Sequence, residues 1–151
     1  MTYLRYERGS VTDIETGVIG HGVDTSGKMT AGVALAIVQK WPVVKERYLD
    51  LLSLPRAHRE LGSIQIVNVK PELYVLNMFT QRYGQDGVNA DKDAIFSCVE
   101  WAIITAEERK LPLYLPKVGS GPGGLDWKKD VEPIVAGLAE EHKYIITIRE
   151  I

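Results

Sequence analysis

The chain has a single cysteine, Cys98, which excludes an intrachain disulfide framework and a zinc site built on thiolates. It also has no excess of basic charge: 18 Lys and Arg stand against 20 Asp and Glu, for a formal net charge of -2. A nucleic-acid binder normally carries a basic patch or stripe, so the charge gives no direct evidence for such a partner. No apolar run approaches the roughly 20 residues needed to span a bilayer. The first residues, Met1-Thr2-Tyr3-Leu4-Arg5-Tyr6-Glu7-Arg8, show no basic region leading into an apolar one. No membrane association and a cytoplasmic, reducing setting are therefore expected. No His, Cys and carboxylate set has metal-ligand spacing, and no GxSxG nucleophile signature occurs. Neither a metal nor a cofactor is expected. His58 and His142 flank charged residues and read as surface histidines.

What is present is enough for one domain over residues 1–151, with 45% hydrophobic residues to build a core. Short apolar runs predict strands at 3–7, 16–20, 62–69, 73–79, 111–115 and 144–148. Asn68-Val69-Lys70-Pro71-Glu72 supplies hairpin turn chemistry between the third and fourth of these. Val33, Ala34, Ile37, Val38 and Trp41 recur at helical spacing, and Pro42 separates them from a second helix reaching Leu54. Ile95, Cys98, Val99, Ala102, Ile103 and Ala106 form the clearest helical stripe, which makes Cys98 core filler. Trp127, Val131, Ile134, Val135 and Leu138 line a last helix. The order β, β, α, α, β, β, α, β, α, β predicts an α/β fold with a mixed, largely parallel sheet covered on both faces.

Two stretches carry the chemistry. Pro116-Lys117-Val118-Gly119-Ser120-Gly121-Pro122-Gly123-Gly124-Leu125-Asp126-Trp127 follows an apolar strand and leads into a helix. His21-Gly22-Val23-Asp24-Thr25-Ser26-Gly27-Lys28-Met29-Thr30-Ala31-Gly32-Val33 repeats the arrangement earlier in the chain. Glycines let backbone approach a ligand, and the helix N-terminus offers unpaired N–H groups and a favourable dipole for an anion. Neither loop matches GxGxxG with its ribose-binding acid, nor the GK[ST] of a P-loop. Both loops fall at carboxyl ends of strands, where open α/β sheets bind ligands.

These residues resemble a known family. Ile19 to Ala34 is similar to the first ligand loop of macro domains, which bind ADP-ribose. Leu115 to Trp127 is similar to the second. Asn77-Met78-Phe79-Thr80-Gln81-Arg82-Tyr83-Gly84 resembles a segment of the divergent branch that processes ADP-ribose 1''-phosphate. The resemblance implies a single three-layer α/β/α domain holding ADP-ribose or a derivative across the carboxyl edge of its sheet. Gly22, Val23, Gly27, Lys28, Met29, Thr30, Gly32 and Val33 would contact the ligand from the first loop. Gly119, Ser120, Gly121, Pro122, Gly123 and Gly124 would do so from the second. Ser10 stands near the place of the adenine contact.

Gln81 occupies the position where some hydrolytic relatives carry a lysine that attacks the ribose, and glutamine cannot form that adduct. The two anion-site loops and the resemblance from Asn77 to Gly84 imply a hydrolase removing the terminal phosphate of ADP-ribose 1''-phosphate. The alternatives are a reader without turnover, or a lysine-independent glycohydrolase. Three residues are candidates for the chemistry, each with a plainer role. His21 can act as a general acid or phosphate contact, or be a strand-end histidine whose ring bonds a backbone carbonyl. Asp24 can activate water or form an Asx-turn. Asp126 can serve as a base or as a helix N-cap.

Overall fold

The computed structural model describes residues 2–55, 60–83, 89–121 and 123–151. The strands are β1 (Leu4–Arg8), β2 (Gly17–Val23), β3 (Ile64–Lys70), β4 (Leu73–Phe79), β5 (Leu113–Leu115) and β6 (Ile146–Glu150). The helices are α1 (Gly32–Lys40), α2 (Val43–Leu52), α3 (Lys92–Arg109) and α4 (Glu132–His142). The strands form one six-stranded sheet in the order β1-β6-β5-β2-β4-β3. Every pairing is parallel except the β3–β4 hairpin. This is the expected mixed, largely parallel sheet in a single α/β domain.

Side chains alternate across the central strands, so two cores form. Val18, Leu76 and Met78 pack with α3 and α4 around Ile95, Val99, Ile103 and Leu138. Ile19, Val75, Val67 and Phe79 pack under α1 and α2 against Ile37, Val44 and Tyr48. Cys98 is fully buried in the first core, and burial pushes its thiol up to about 12. At neutral pH it is a small apolar group rather than a nucleophile. Among the described residues, no helix is long and apolar enough to cross a membrane.

At four elements the departure from the expected bounds has a local cause. Strand β2 runs on to Val23, because β4 continues beside it from Leu76 to Phe79. Gly22 is therefore a strand position like Gly20, not loop punctuation. A Cβ on Gly20 would lie 2.8 Å from Leu115 Cδ2, and one on Gly22 would lie 2.5 Å from Thr80 Oγ1. Strands β5 and β6 each start two residues late, because the preceding residues close a helix. Lys110 and Lys143 adopt left-handed backbone (φ 57° and 53°), and Leu111 and Tyr144 donate back to Ala106 O and Ala139 O. That is a Schellman closure made without glycine. Before α4, residues Trp127–Val131 form a wide π-type turn. Pro133 stands at the start of α4 and has no N–H with which to extend the α pattern backwards.

Candidate functional site

Strands β5, β2 and β4 are neighbours, so the segments leaving their carboxyl ends meet. They enclose a cleft of about 630 Å³. Its walls are residues 21–24, 26 and 28–34 on one side and 116–121 with 123 on the other. Gln81, Tyr83, Tyr48 and residues 149–151 complete it.

The backbone polarity of these walls is one-sided. In the first loop, Ser26 N donates to Asp24 Oδ1 at 2.7 Å, Gly27 N to Tyr48 Oη at 3.0 Å, and Lys28 N to Ser26 Oγ at 3.2 Å. Helical bonding resumes only where Leu35 N donates to Ala31 O. The N–H groups of residues 29–34 have no acceptor among the described residues. The N-cap of α1 is Ala31, which has no side-chain oxygen to cap with. Gly32 at φ 58° then turns the chain into the helix. On the opposite wall, Gly124 N and Leu125 N are paired within the loop. Asn89 N and Ala90 N brace it from below by donating to Gly123 O at 3.0 and 3.1 Å. The N–H groups of Gly119, Gly121 and Gly123 meet no described acceptor. Unpaired donors of this kind at a helix start and in a glycine turn attract an anion.

Tyr48 holds the first loop from α2, accepting from Gly27 N and donating to Asp24 O at 2.6 Å. Its ring stacks on Phe79 with centroids 6.3 Å apart. Tyr48→Phe keeps that stack but strands a donor and an acceptor. A loss of about 1–2 kcal/mol is expected, seen as a thermal midpoint lower by roughly 3–6 °C. An unchanged midpoint would show that the phenol does not tie the loop down.

His21 is buried, and its Nε2 lies 2.6 Å from Asn77 Oδ1. Burial pushes its pKa down to about 4, against a smaller upward effect of the Asn77 contact. The ring is therefore neutral at physiological pH. Asp24 lines the cleft with Oδ1 in the expected Asx-turn, and no described donor reaches its Oδ2. Asp126 is an N-cap: its Oδ1 accepts from Lys129 N at 2.8 Å, and its own N–H donates to Asp130 Oδ2 at 2.9 Å. It does not line the cleft.

Of the other residues assigned by resemblance, Gly22, Val23, Lys28, Met29, Thr30, Gly32, Val33, Gln81, Gly119, Ser120, Gly121 and Gly123 line the cleft. Val33 is 38% exposed there instead of joining a buried helix face; on α1 only Ile37 is buried. Gly27 and Gly124 support the two loops from outside the lining. Ser10 caps the 3-10 turn Val11–Asp13 and is likewise outside it. Pro122, Gly84 and His58 lie outside the described residues. His142 is half-buried and bonded to Glu100 at 3.1 Å. With Glu141 these two residues bring ligand-type atoms within 4.8 Å of one another, in a group no sequence spacing announces and away from the cleft lining.

Sequence reasoning missed several lining residues. Lys117 pairs with Glu150 at 2.9 Å, and Arg149 pairs with Glu7 at 2.8 Å. The ammonium of Lys28 lies 5.7 Å from the centre of the Tyr83 ring, joining the first loop to the segment after β4. Arg149 and Glu150 reach the site only because β6 pairs with β5, which no local pattern encodes.

No protein-family model matches the sequence, and no curated protein matches it. Solved structures do match. A protein of unknown function from Bacteroides thetaiotaomicron is 26% identical over 99% of both chains, with a TM-score of 0.89. A macrodomain protein from Streptomyces coelicolor is 25% identical over 98% of this chain and 99% of its own, with a TM-score of 0.81. DarTG from Thermosipho africanus, in complex with ADP-ribose, is 17% identical over 97% of this chain and 42% of its own, with a TM-score of 0.77. The chain has the macrodomain fold.

Proposed function

We propose that this chain binds ADP-ribose in the cleft, with the diphosphate held by backbone N–H groups of residues 29–34 and of Gly119, Gly121 and Gly123. The observation that carries the reading is the facing of those unpaired donors across one cleft. A diphosphate supplies closely spaced anionic acceptors and no donors, the complement of such walls. Lys28, Lys117 and Arg149 in the lining stand against Asp24 and Glu150, which leaves a small positive excess. A macrodomain-fold neighbour bound to ADP-ribose supports the same ligand.

A second reading, hydrolysis of ADP-ribose 1''-phosphate, is favoured by Asp24. Its Oδ1 is occupied by Ser26 N, which leaves Oδ2 in the cleft to accept a proton from a water attacking the terminal phosphorus. The bond from phosphorus to the 1''-oxygen would break and inorganic phosphate would be released. The departing ADP-ribose oxygen would take up the proton held by Asp24 or one from solvent, and the backbone donors would stabilise the charge that builds on the ligand. Asp126 ranks behind Asp24 because it does not line the cleft and its Oδ1 caps the turn ahead of α4. Gln81 in the lining offers no amine, so release of ADP-ribose from a conjugate would have to proceed without lysine.

Calorimetric titration with ADP-ribose, beside a phosphate-release assay on ADP-ribose 1''-phosphate, tests both readings. Wild type and His21→Ala, Asp24→Ala and Asp126→Ala are compared. Saturation at one ADP-ribose per chain is expected, with phosphate release lost in Asp24→Ala while its binding survives. Binding without phosphate release at any pH would leave a reader. Absence of binding heat, with no displacement of a fluorescent ADP-ribose, would end the functional reading.

A further inference from the structure

A chain of side-chain amides runs from the cleft to the back of α2. His21 Nε2 lies 2.6 Å from Asn77 Oδ1, Asn77 Nδ2 lies 3.0 Å from Gln65 Oε1, and Gln65 Nε2 lies 2.7 Å from the Arg47 carbonyl oxygen. The far end sets the direction. A backbone carbonyl can only accept, so Gln65 must donate with its Nε2 and accept with its Oε1. Asn77 must then donate with Nδ2 and accept with Oδ1. That leaves one arrangement for the histidine: the proton sits on Nε2. The second nitrogen, Nδ1, is then a bare acceptor, buried and without a protein donor among the described residues. A buried acceptor left unmade is unfavourable, and His21 is among the residues that line the cleft.

We propose that Asn77 and Gln65 are positioning residues that lock His21 as its Nε2–H tautomer, so that Nδ1 accepts a hydrogen bond from a hydroxyl of the bound ligand. The inference rests on the ADP-ribose reading above, since a ribose supplies such hydroxyls. It also gives the two groups in the cleft different tasks. Backbone N–H groups take the anionic diphosphate, whereas His21 selects a donor and turns away a fully ionised phosphate oxygen, which brings no proton to share. The His21 N–H is committed to Asn77, so the ring orients a hydroxyl instead of acting as a general acid.

Ring-nitrogen NMR on histidine-labelled protein tests this directly. The chain has three histidines, and the His21 signals are assigned by their loss in His21→Gln. Without ligand at neutral pH, His21 is expected to show a protonated Nε2 and an unprotonated Nδ1 as one species. Gln65→Met frees the Asn77 amide to turn, and a mixture of tautomers should appear. If the two become equal, ADP-ribose affinity falls about twofold. Gln65→Glu still accepts from Asn77 Nδ2, so it should retain the single tautomer. Adding ADP-ribose should then move the Nδ1 resonance in the direction of hydrogen bonding.

A protonated Nδ1 or a mixture in the wild type overturns the relay, as does a single Nε2–H tautomer that persists in both Gln65→Met and Asn77→Leu. Backbone amide shifts in residues 29–34 with a motionless Nδ1 overturn the hydroxyl contact while sparing the functional reading. If ADP-ribose moves no amide, the functional reading and the hydroxyl contact fall together, and the ligand-free tautomer alone decides the relay.

Discussion

Gly121→Val is expected to weaken ADP-ribose binding more than tenfold while moving the thermal midpoint by less than about 2 °C. Gly121 lines the cleft, has no left-handed backbone, and a Cβ built there meets nothing within 4 Å. The fold therefore tolerates the side chain, and only an incoming ligand meets it. Its neighbours behave differently. At Gly123 a Cβ would sit 2.7 Å from Gly119 O and 2.9 Å from Ala90 Cβ. Loop backbone on one side and the buried Ala90, just ahead of α3, on the other cannot both yield. Gly119 combines φ 78° with a Cβ only 2.9 Å from Ile95 Cδ1. Ala at either position is expected to cost roughly 1–3 kcal/mol of stability. Calorimetry and thermal melts on the three variants separate the roles. If Gly121→Val bound ADP-ribose as wild type does, the second loop would not be a ligand wall.

Acidification should weaken the fold through His21, and the sign follows from its buried neutral state. Above pH 6.5 neither folded nor unfolded chain protonates this ring, and its contribution is fully present. Between pH 6.5 and about 4 the unfolded chain takes up a proton that the folded site refuses. Stability falls through that window by roughly 3 kcal/mol in all. Asp91 has its pKa lowered by the Ala94 N–H and by Arg82, so its stabilisation is lost at more acid pH, below the ordinary aspartate value. Urea unfolding of wild type and His21→Gln from pH 7 to 4.5 isolates the histidine, because the variant should show a shallower decline. Parallel curves would mean that His21 titrates normally in the fold.

Much of this architecture is legible in the residues. Glycine clusters after apolar runs mark both loops, and helical spacing from Ile95 to Ala106 marks α3. Asp126 announces the last helical segment, although it caps the π-type turn ahead of α4 and not α4 itself. What escapes is whatever depends on partners distant in sequence. Gly22 looks like a loop residue until Thr80 is found filling the space beside it. The ends of α3 and α4 carry no glycine, so two left-handed lysines hid the late starts of β5 and β6. Tyr48 reads as one more aromatic on an apolar helix face, and only packing turns its hydroxyl towards Asp24 and Gly27. The tautomer of His21 depends on three elements and on a carbonyl 26 residues further along the chain, on α2. No window of sequence contains it.

The sheet order has a practical consequence. Strands β1 and β6 lie side by side and run the same way, so β1 is entered at the amino edge of the sheet and β6 is left at the opposite one, beside the cleft. Residues 149–151 are themselves part of the cleft rim. An affinity tag or reporter joined ahead of β1 hangs from the floor of the molecule, clear of the ligand's approach. The same tag joined after Ile151 is hinged at the doorway, where it can shade the entrance or, suitably short, report on what passes through it.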